Sequence, residues 1–200
     1  MTIHKIYPKG FASNCYLITA DGKTAVAIDP AQPRILEEAK KLDLTVKFVL
    51  LTHGHFDHIM GCAALQEAGA KVGCLAREKD LTLGSANMGS AFGVRVPKFS
   101  VDFTFEDGEI LKLCGMQFEI LATPGHTAGS CCIRLDRALF TGDTLFLEEV
   151  GRTDLPTGNA AELHESLKKL AALEGDYTLY AGHDEDSTLD NERVHNPYLK

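Results

Sequence analysis

Four apolar runs of this chain stop in the same way. Each passes directly into a short glycine-containing loop that carries a histidine or an aspartate: Leu51-Thr-His53, Ala122-Thr-Pro-Gly-His126, Phe140-Thr-Gly-Asp143 and Tyr180-Ala-Gly-His183. Ligands gather at strand ends in α/β sheets, so this regularity points to an α/β fold whose strand ends carry the site.

The rest of the pattern agrees. Short runs rich in Val, Ile, Leu and Phe alternate with stretches of helical periodicity, the order of a layered α/β protein. Strands are expected over 25–28, 48–51, 71–75, 118–122, 131–135, 138–141 and 178–181, and helices over 34–42, 59–68 and 160–173. In the last helix Asn159 and Glu162 form a capping pair, and Leu163, Leu167 and Leu170 form one apolar stripe. The segment 84–98 has three glycines, one proline and little periodicity, and reads as a mobile surface loop bordering the site. With no linker and no repeat, residues 1–200 are expected to form a single domain.

Composition narrows the function. A net charge of −8 works against binding to nucleic acid or to anionic lipid. The N-terminus lacks a basic stretch followed by an apolar run, and no segment reaches the roughly 20 apolar residues of a membrane span, so a cytoplasmic protein is expected. The six cysteines contain no Cys-x-x-Cys pair and read as buried apolar residues. Cys131 and Cys132, adjacent in an expected strand, should face opposite ways.

Thr52-His-Gly-His-Phe-Asp-His58 places three imidazoles and a carboxylate within six positions. Residues two apart on a helix point in nearly opposite directions, so His53 and His55 must converge from a turn, which Gly54 eases. Asp57 and His58 then fall where a helix begins, with Asp57 placed to cap it. Four such side chains together are costly to bury without a positive charge between them, and a metal supplies one. His126, Asp143 and His183 are ordinary turn residues when taken singly. Added to the cluster they complete a count: three histidines for one metal, two histidines and a carboxylate for a second, and a carboxylate to bridge. Each metal then keeps an open position, the mark of a catalytic site.

Thr52-His-Gly-His-Phe-Asp-His58, Gly125-His126, Gly142-Asp-Thr-Leu-Phe146 and Gly182-His183 resemble the metallo-β-lactamase superfamily over nearly the whole chain. Gly151-Arg-Thr-Asp-Leu-Pro156, Thr188-Leu-Asp-Asn-Glu-Arg193 and Asn196-Pro-Tyr198 resemble its small hydrolases related to glyoxalase II. The resemblance implies a four-layer αββα sandwich with the metals at one edge. It assigns His53, His55 and His126 to the first metal and Asp57, His58 and His183 to the second, with Asp143 bridging. Zinc is the first expectation, and mixed imidazole and carboxylate donors also suit iron and manganese. His4, His164 and His195 match no ligand position, although His195 is placed to approach the cleft. No counterpart of the helical C-terminal domain of full-length glyoxalase II is expected in residues 1–200. Arg152 matches a position that contacts glutathione, while the nearby tyrosine positions read Asp154 and Glu185. Arg152 is expected to face the cleft, either pairing with Asp154 or Glu149 or binding a substrate carboxylate with its planar fork.

The implied activity is hydrolysis of small acyl thioesters by a hydroxide held between two metals, with Asp57 and Asp143 as ligands that position it. A thiol leaves as thiolate without prior protonation, so a site with no extra acid suits thioesters better than amides. Two alternatives stand beside this: a persulfide dioxygenase of the same superfamily, using one iron, and a non-catalytic metal-stabilised binding protein.

Overall fold

The parity of buried residues along the strands builds the layers. In the computed structural model, which describes residues 1–200, Ala25 and Ala27 of β3 (Thr24–Ile28) pack to one side and Val26 and Ile28 to the other. Both faces of the strand are therefore apolar, as in any sheet covered on two sides. The same split occurs in β2 (Cys15–Thr19), β4 (Thr45–Leu51) and β5 (Lys71–Leu75). With β1 (Thr2–Ile6) and β6 (Phe103–Phe105) they form a six-stranded sheet in the order β1-β2-β3-β4-β5-β6.

The second half of the chain repeats the arrangement. Strands β7 (Ile110–Leu113), β8 (Met116–Ala122), β9 (Cys131–Leu135), β10 (Ala138–Gly142), β11 (Thr178–Ala181) and β12 (Ser187–Thr188) form another six-stranded sheet, ordered β12-β11-β10-β9-β8-β7. Between the sheets lies a core that includes Tyr16, Leu50, Phe118, Ile133 and Phe140. Outside the first sheet, Ile35 and Ala39 of α1 (Ile35–Lys41), Ile59 of α2 (Phe56–Ile59), and Cys62 and Leu65 of α3 (Cys62–Glu67) make a second core. Outside the other sheet, Leu163, Leu167 and Leu170 of α5 (Ala160–Ala171) and Leu189 of α6 (Leu189–His195) make a third, the short α4 (Lys79–Leu83) lying before β6. Three apolar cores between helix, sheet, sheet and helix give the expected four-layer α/β sandwich. Cys131 and Cys132 enter different cores, as strand geometry requires.

Several local expectations change. The helix read over 59–68 starts three residues earlier and divides into α2 and α3 at Met60-Gly61, where Gly61 N–H is drawn 2.6 Å from the Pro30 carbonyl. Asp57 does not cap it. His55 takes the N-cap position without a side-chain bond, and Asp57 lies in the first turn facing His183. At α5 only half of the capping pair forms: Asn159 Oδ1 accepts from Ala161 N–H and Glu162 N–H, while Asn159 N–H goes to the Gly125 carbonyl. The segment 84–98 contains 3₁₀ turns over Ser85–Asn87 and Ser90–Phe92. No helix is long and apolar enough to cross a membrane.

Candidate metal centre

Strand direction brings the loops together. β4 belongs to one sheet and β8, β10 and β11 to the other, with β10 and β11 parallel and β8 and β10 each antiparallel to β9. The C-terminal ends of these four strands meet at one rim, and backbone bonds tie the sheets together there. Cys131 N–H donates to the Thr52 carbonyl at 2.9 Å, and Asn14 N–H to that of Gly182 at 2.6 Å. A one-residue bulge at Thr141 shifts the β10–β11 register immediately before Asp143. A Cβ on Gly182 would stand 2.3 Å from Asp143 Oδ1, so only glycine lets the His183 loop approach so closely. Gly54 matters for the same reason rather than for turn freedom, since its missing Cβ leaves room for Thr82.

All seven residues singled out in the sequence reach this rim. His53, His55 and His126 form one group and Asp57, His58 and His183 another, the nitrogen and oxygen atoms of each lying within 4.8 Å of one another. Asp143 stands between them: Oδ2 is 3.5 Å from His126 Nε2 and 3.6 Å from His183 Nε2, and Oδ1 is 3.2 Å from His58 Nε2. His53, His55 and His58 are almost fully buried, while Asp143, Asp57 and His183 are progressively more open to the cleft.

Supporting bonds orient the rings. His58 Nδ1 lies 3.0 Å from Asp29 Oδ2, His126 Nδ1 lies 2.8 Å from the Arg152 carbonyl, and His53 Nδ1 lies 3.2 Å from Thr52 Oγ1. A carboxylate or carbonyl only accepts, so His58 and His126 each carry a proton on Nδ1, which leaves Nε2 as the nitrogen that would face a metal. Asp29 also stands close to His53 and His58. Its oxygens are already taken by Thr52 N–H, the Thr52 hydroxyl and His58, so we read it as a support.

Glu78 is a second support. Its buried carboxylate accepts Gly54 N–H through Oε1 and Gly129 N–H through Oε2, both at 2.9 Å, and so joins the His53–His55 turn to the His126 loop. Burial pushes the Glu78 carboxyl above its ordinary range despite these bonds. Neither Asp29 nor Glu78 stands out in the sequence motifs. Asp29 has a signal nonetheless, because Ile28-Asp29-Pro30 ends a strand as the four named loops do. Glu78 has none, since it reaches the site through main-chain N–H groups.

The electrostatics divide the cluster. Burial, then the charge of His58, holds His53 well below the ordinary imidazole range, and burial with His126 pushes His55 down to about 4. Burial likewise opposes charge on His58, but Asp143 and Asp57 outweigh it and push His58 up. Burial of Asp143 is overcome by His58, and its carboxyl is held well below the usual range. Even so, His53 Nε2, His55 Nε2, His58 Nε2 and Asp143 Oδ1 are buried without hydrogen-bond partners. Such orphaned atoms are costly, and cations within these groups would satisfy those that face them, so the donor set fits divalent metal ions.

Arg152 lines the cleft beside His126, Asp143 and His183. Its Nε and Nη2 donate to the two oxygens of Asp154 at 2.6 and 2.7 Å, the local pairing expected as one alternative. His195 does not approach the cleft. It is exposed and turned back onto the Asn191 carbonyl of its own helix, 3.2 Å away.

Comparison with known proteins agrees with this geometry. Residues 8–183 match the model of the metallo-beta-lactamase superfamily. Hydroxyacylglutathione hydrolase GloC of Haemophilus influenzae is 38% identical over 208 residues, covering 100% of this chain and 98% of that one. Among solved structures, the BLEG-1 B3 metallo-beta-lactamase superposes with a TM-score of 0.93 at 29% identity, over the full length of both chains. TTHA1623, solved in a di-iron-bound form, superposes with a TM-score of 0.86 at 32% identity, again over both full lengths.

Proposed function

Because the chain belongs to the metallo-β-lactamase superfamily, we propose that it is a metal-dependent hydrolase of small acyl thioesters, of the kind named hydroxyacylglutathione hydrolase in its Haemophilus relative. The observation that carries this reading is Asp143, set between two three-residue groups in which His53 Nε2, His55 Nε2 and His58 Nε2 are buried without partners. His53, His55 and His126 would hold one divalent ion and Asp57, His58 and His183 the other, with Asp143 shared. Zinc is the first candidate and iron and manganese suit the same donors. Ions bound there supply a Lewis acid for a carbonyl oxygen and a hydroxide nucleophile near neutral pH.

The chain's own residues do the rest. Asp29 and the Arg152 carbonyl fix the His58 and His126 tautomers, and Glu78 holds two ligand loops in register. The lining of the cleft includes no Tyr, Lys, Ser or Cys side chain to protonate a leaving group. A thiolate needs no such proton, whereas an amine does. Arg152 spends two of its five N–H donors on Asp154, and the others would remain for the polar end of a thioester.

Metal analysis of the purified protein, coupled to thioester, cephalosporin and oxygen-uptake assays, tests the reading. Two metals per chain and thioester cleavage are expected. His183→Ala should lose mainly one ion, and Asp143→Ala should weaken both. A single iron with oxygen consumption would replace the hydrolase by a persulfide dioxygenase, and two metals with no turnover would favour a binding protein.

A further inference from the structure

The cleft beside the metal centre has two unlike walls. It encloses 630 Å³, within the range of about 300–1,000 Å³ typical of small-molecule sites. The second half of the chain contributes Phe146, Leu155 and Arg152, the last being the only lysine or arginine in the lining. The first half contributes Phe11, Phe56, Met88 and Phe92. Phe56 and Phe92 stack with ring centroids 5.3 Å apart, and Phe11 and Phe92 are 76% and 52% exposed. Aromatic side chains left in water together at the mouth of a site mark a surface that covers a ligand.

This wall does not stop at the cleft. Phe11 and Phe56 also line an adjoining groove of 390 Å³, floored by Ala31, Pro33, Met60 and Val94. Lys9 and Arg34 edge that groove, and the Arg34 guanidinium is held by Gln32 at 2.6 Å. An apolar track thus leads away from Asp57 and His55 on the side opposite the Arg152 segment in sequence and sheet. An acyl group of two or three carbons would leave nearly all of it wet.

We propose that the preferred substrates are thioesters with an extended apolar acyl group, aliphatic or aromatic, which lies along the Phe11–Phe56–Phe92 wall while the thiol portion lies toward Arg152. This rests on the thioester reading and specifies the acyl class. Burial of one methylene corresponds to about fourfold in an equilibrium or rate constant, so a partly open groove still gives a steep series.

The test uses the metal-loaded full chain and N-acetylcysteamine thioesters from acetyl to octanoyl, with adipoyl as the charged match for hexanoyl. The expected kcat/KM rises at least ~20-fold from acetyl to hexanoyl, hexanoyl exceeds adipoyl, and Phe11→Ser/Phe92→Ser flattens the series. The corresponding S-alkyl thioethers, which cannot be hydrolysed, are titrated by calorimetry and should bind more tightly with chain length. Cleavage with a flat series, or with adipoyl preferred, overturns the acyl assignment and leaves the thioesterase reading standing. Chain-length-dependent thioether binding without cleavage of any thioester overturns the thioesterase reading and upholds the apolar track. Neither cleavage nor chain-dependent binding removes both.

Discussion

Asp29 Oδ2 lies 3.0 Å from His58 Nδ1 and also accepts the Thr52 hydroxyl at 2.6 Å. One carboxylate thereby sets the ring orientation of a candidate ligand and anchors the start of the His53–His58 turn. Loss of such a supporting partner lowers metal affinity by about 10–100-fold. Asp29→Asn, which keeps the shape and removes the charge, is expected to weaken the Asp57–His58–His183 site by that factor and the His53–His55–His126 site less. Competition with a chelator of known affinity measures both, and equal affinities in variant and wild type would remove Asp29 from the support of the centre.

Glu78 couples two loops through its two oxygens, so the conservative exchange is informative. In Glu78→Gln one acceptor becomes an amide donor facing a main-chain N–H. A buried donor left unsatisfied costs about 1–3 kcal/mol. Urea unfolding of the metal-free variant should show that loss, and metal titration should show the first site weakened more than the second. A variant as stable as wild type with both affinities intact would show that neither bond supports the site.

Thioesters should be cleaved at least ~100-fold faster than matched amides, about 2.7 kcal/mol in the barrier. The reason is the cleft lining, in which Asp184 is the only carboxyl outside the metal-binding groups and no Tyr, Lys, Ser or Cys is present. Comparing kcat/KM for an acyl thioester and its amide isostere decides the matter, and near-equal values would require an acid among Asp57, Asp143 and Asp184.

Away from the metals, Asp107 links β8 to α5 by accepting Lys169 Nζ at 2.9 Å and Ala122 N–H at 2.7 Å. Partial burial works against its charge, but these bonds outweigh it and the carboxyl is held below its ordinary value of 3.8. A depressed acid stabilises the fold above 3.8 and loses that contribution as pH falls through the folded value. Asp107→Asn should therefore lower the urea midpoint at pH 7, and the gap from wild type should close as pH falls below 3.8. A gap that stays constant with pH would mean the charge contributes nothing.

The interior strands and helices were legible because burial on two faces leaves dense apolar runs: β3, β4, β5 and β8 to β11 fall where such runs predict, and α1 within one residue of the expected ends. The edge strands β1, β6, β7 and β12 were not. Half-buried side chains such as those of Ile110 to Leu113 mix apolar and polar residues without a clear period. β2 is fully buried, and its apolar run Cys15-Tyr-Leu-Ile18 is as long as that of β3, so this strand was legible although the expected set omits it. In the site, the His53–His58 cluster declares itself by density alone. The partners that aim it do not, because Asp29 sits 29 positions from His58 and Glu78 acts on backbone rather than on a side chain.

The division of the chain into two consecutive sheets has a consequence for the order in which the centre can be assembled. His53, His55, Asp57 and His58 emerge early in synthesis with the first sheet, whereas His126, Asp143 and His183 belong to the second. Each triad takes two members from the first sheet and one from the second. A growing chain that folds from its N-terminus therefore carries four donors long before either triad can close. The last donor, His183, follows His58 by 125 residues. Metal capture in the final geometry is thus a late event of biogenesis, and an ion held by both sheets reports that the two halves have docked.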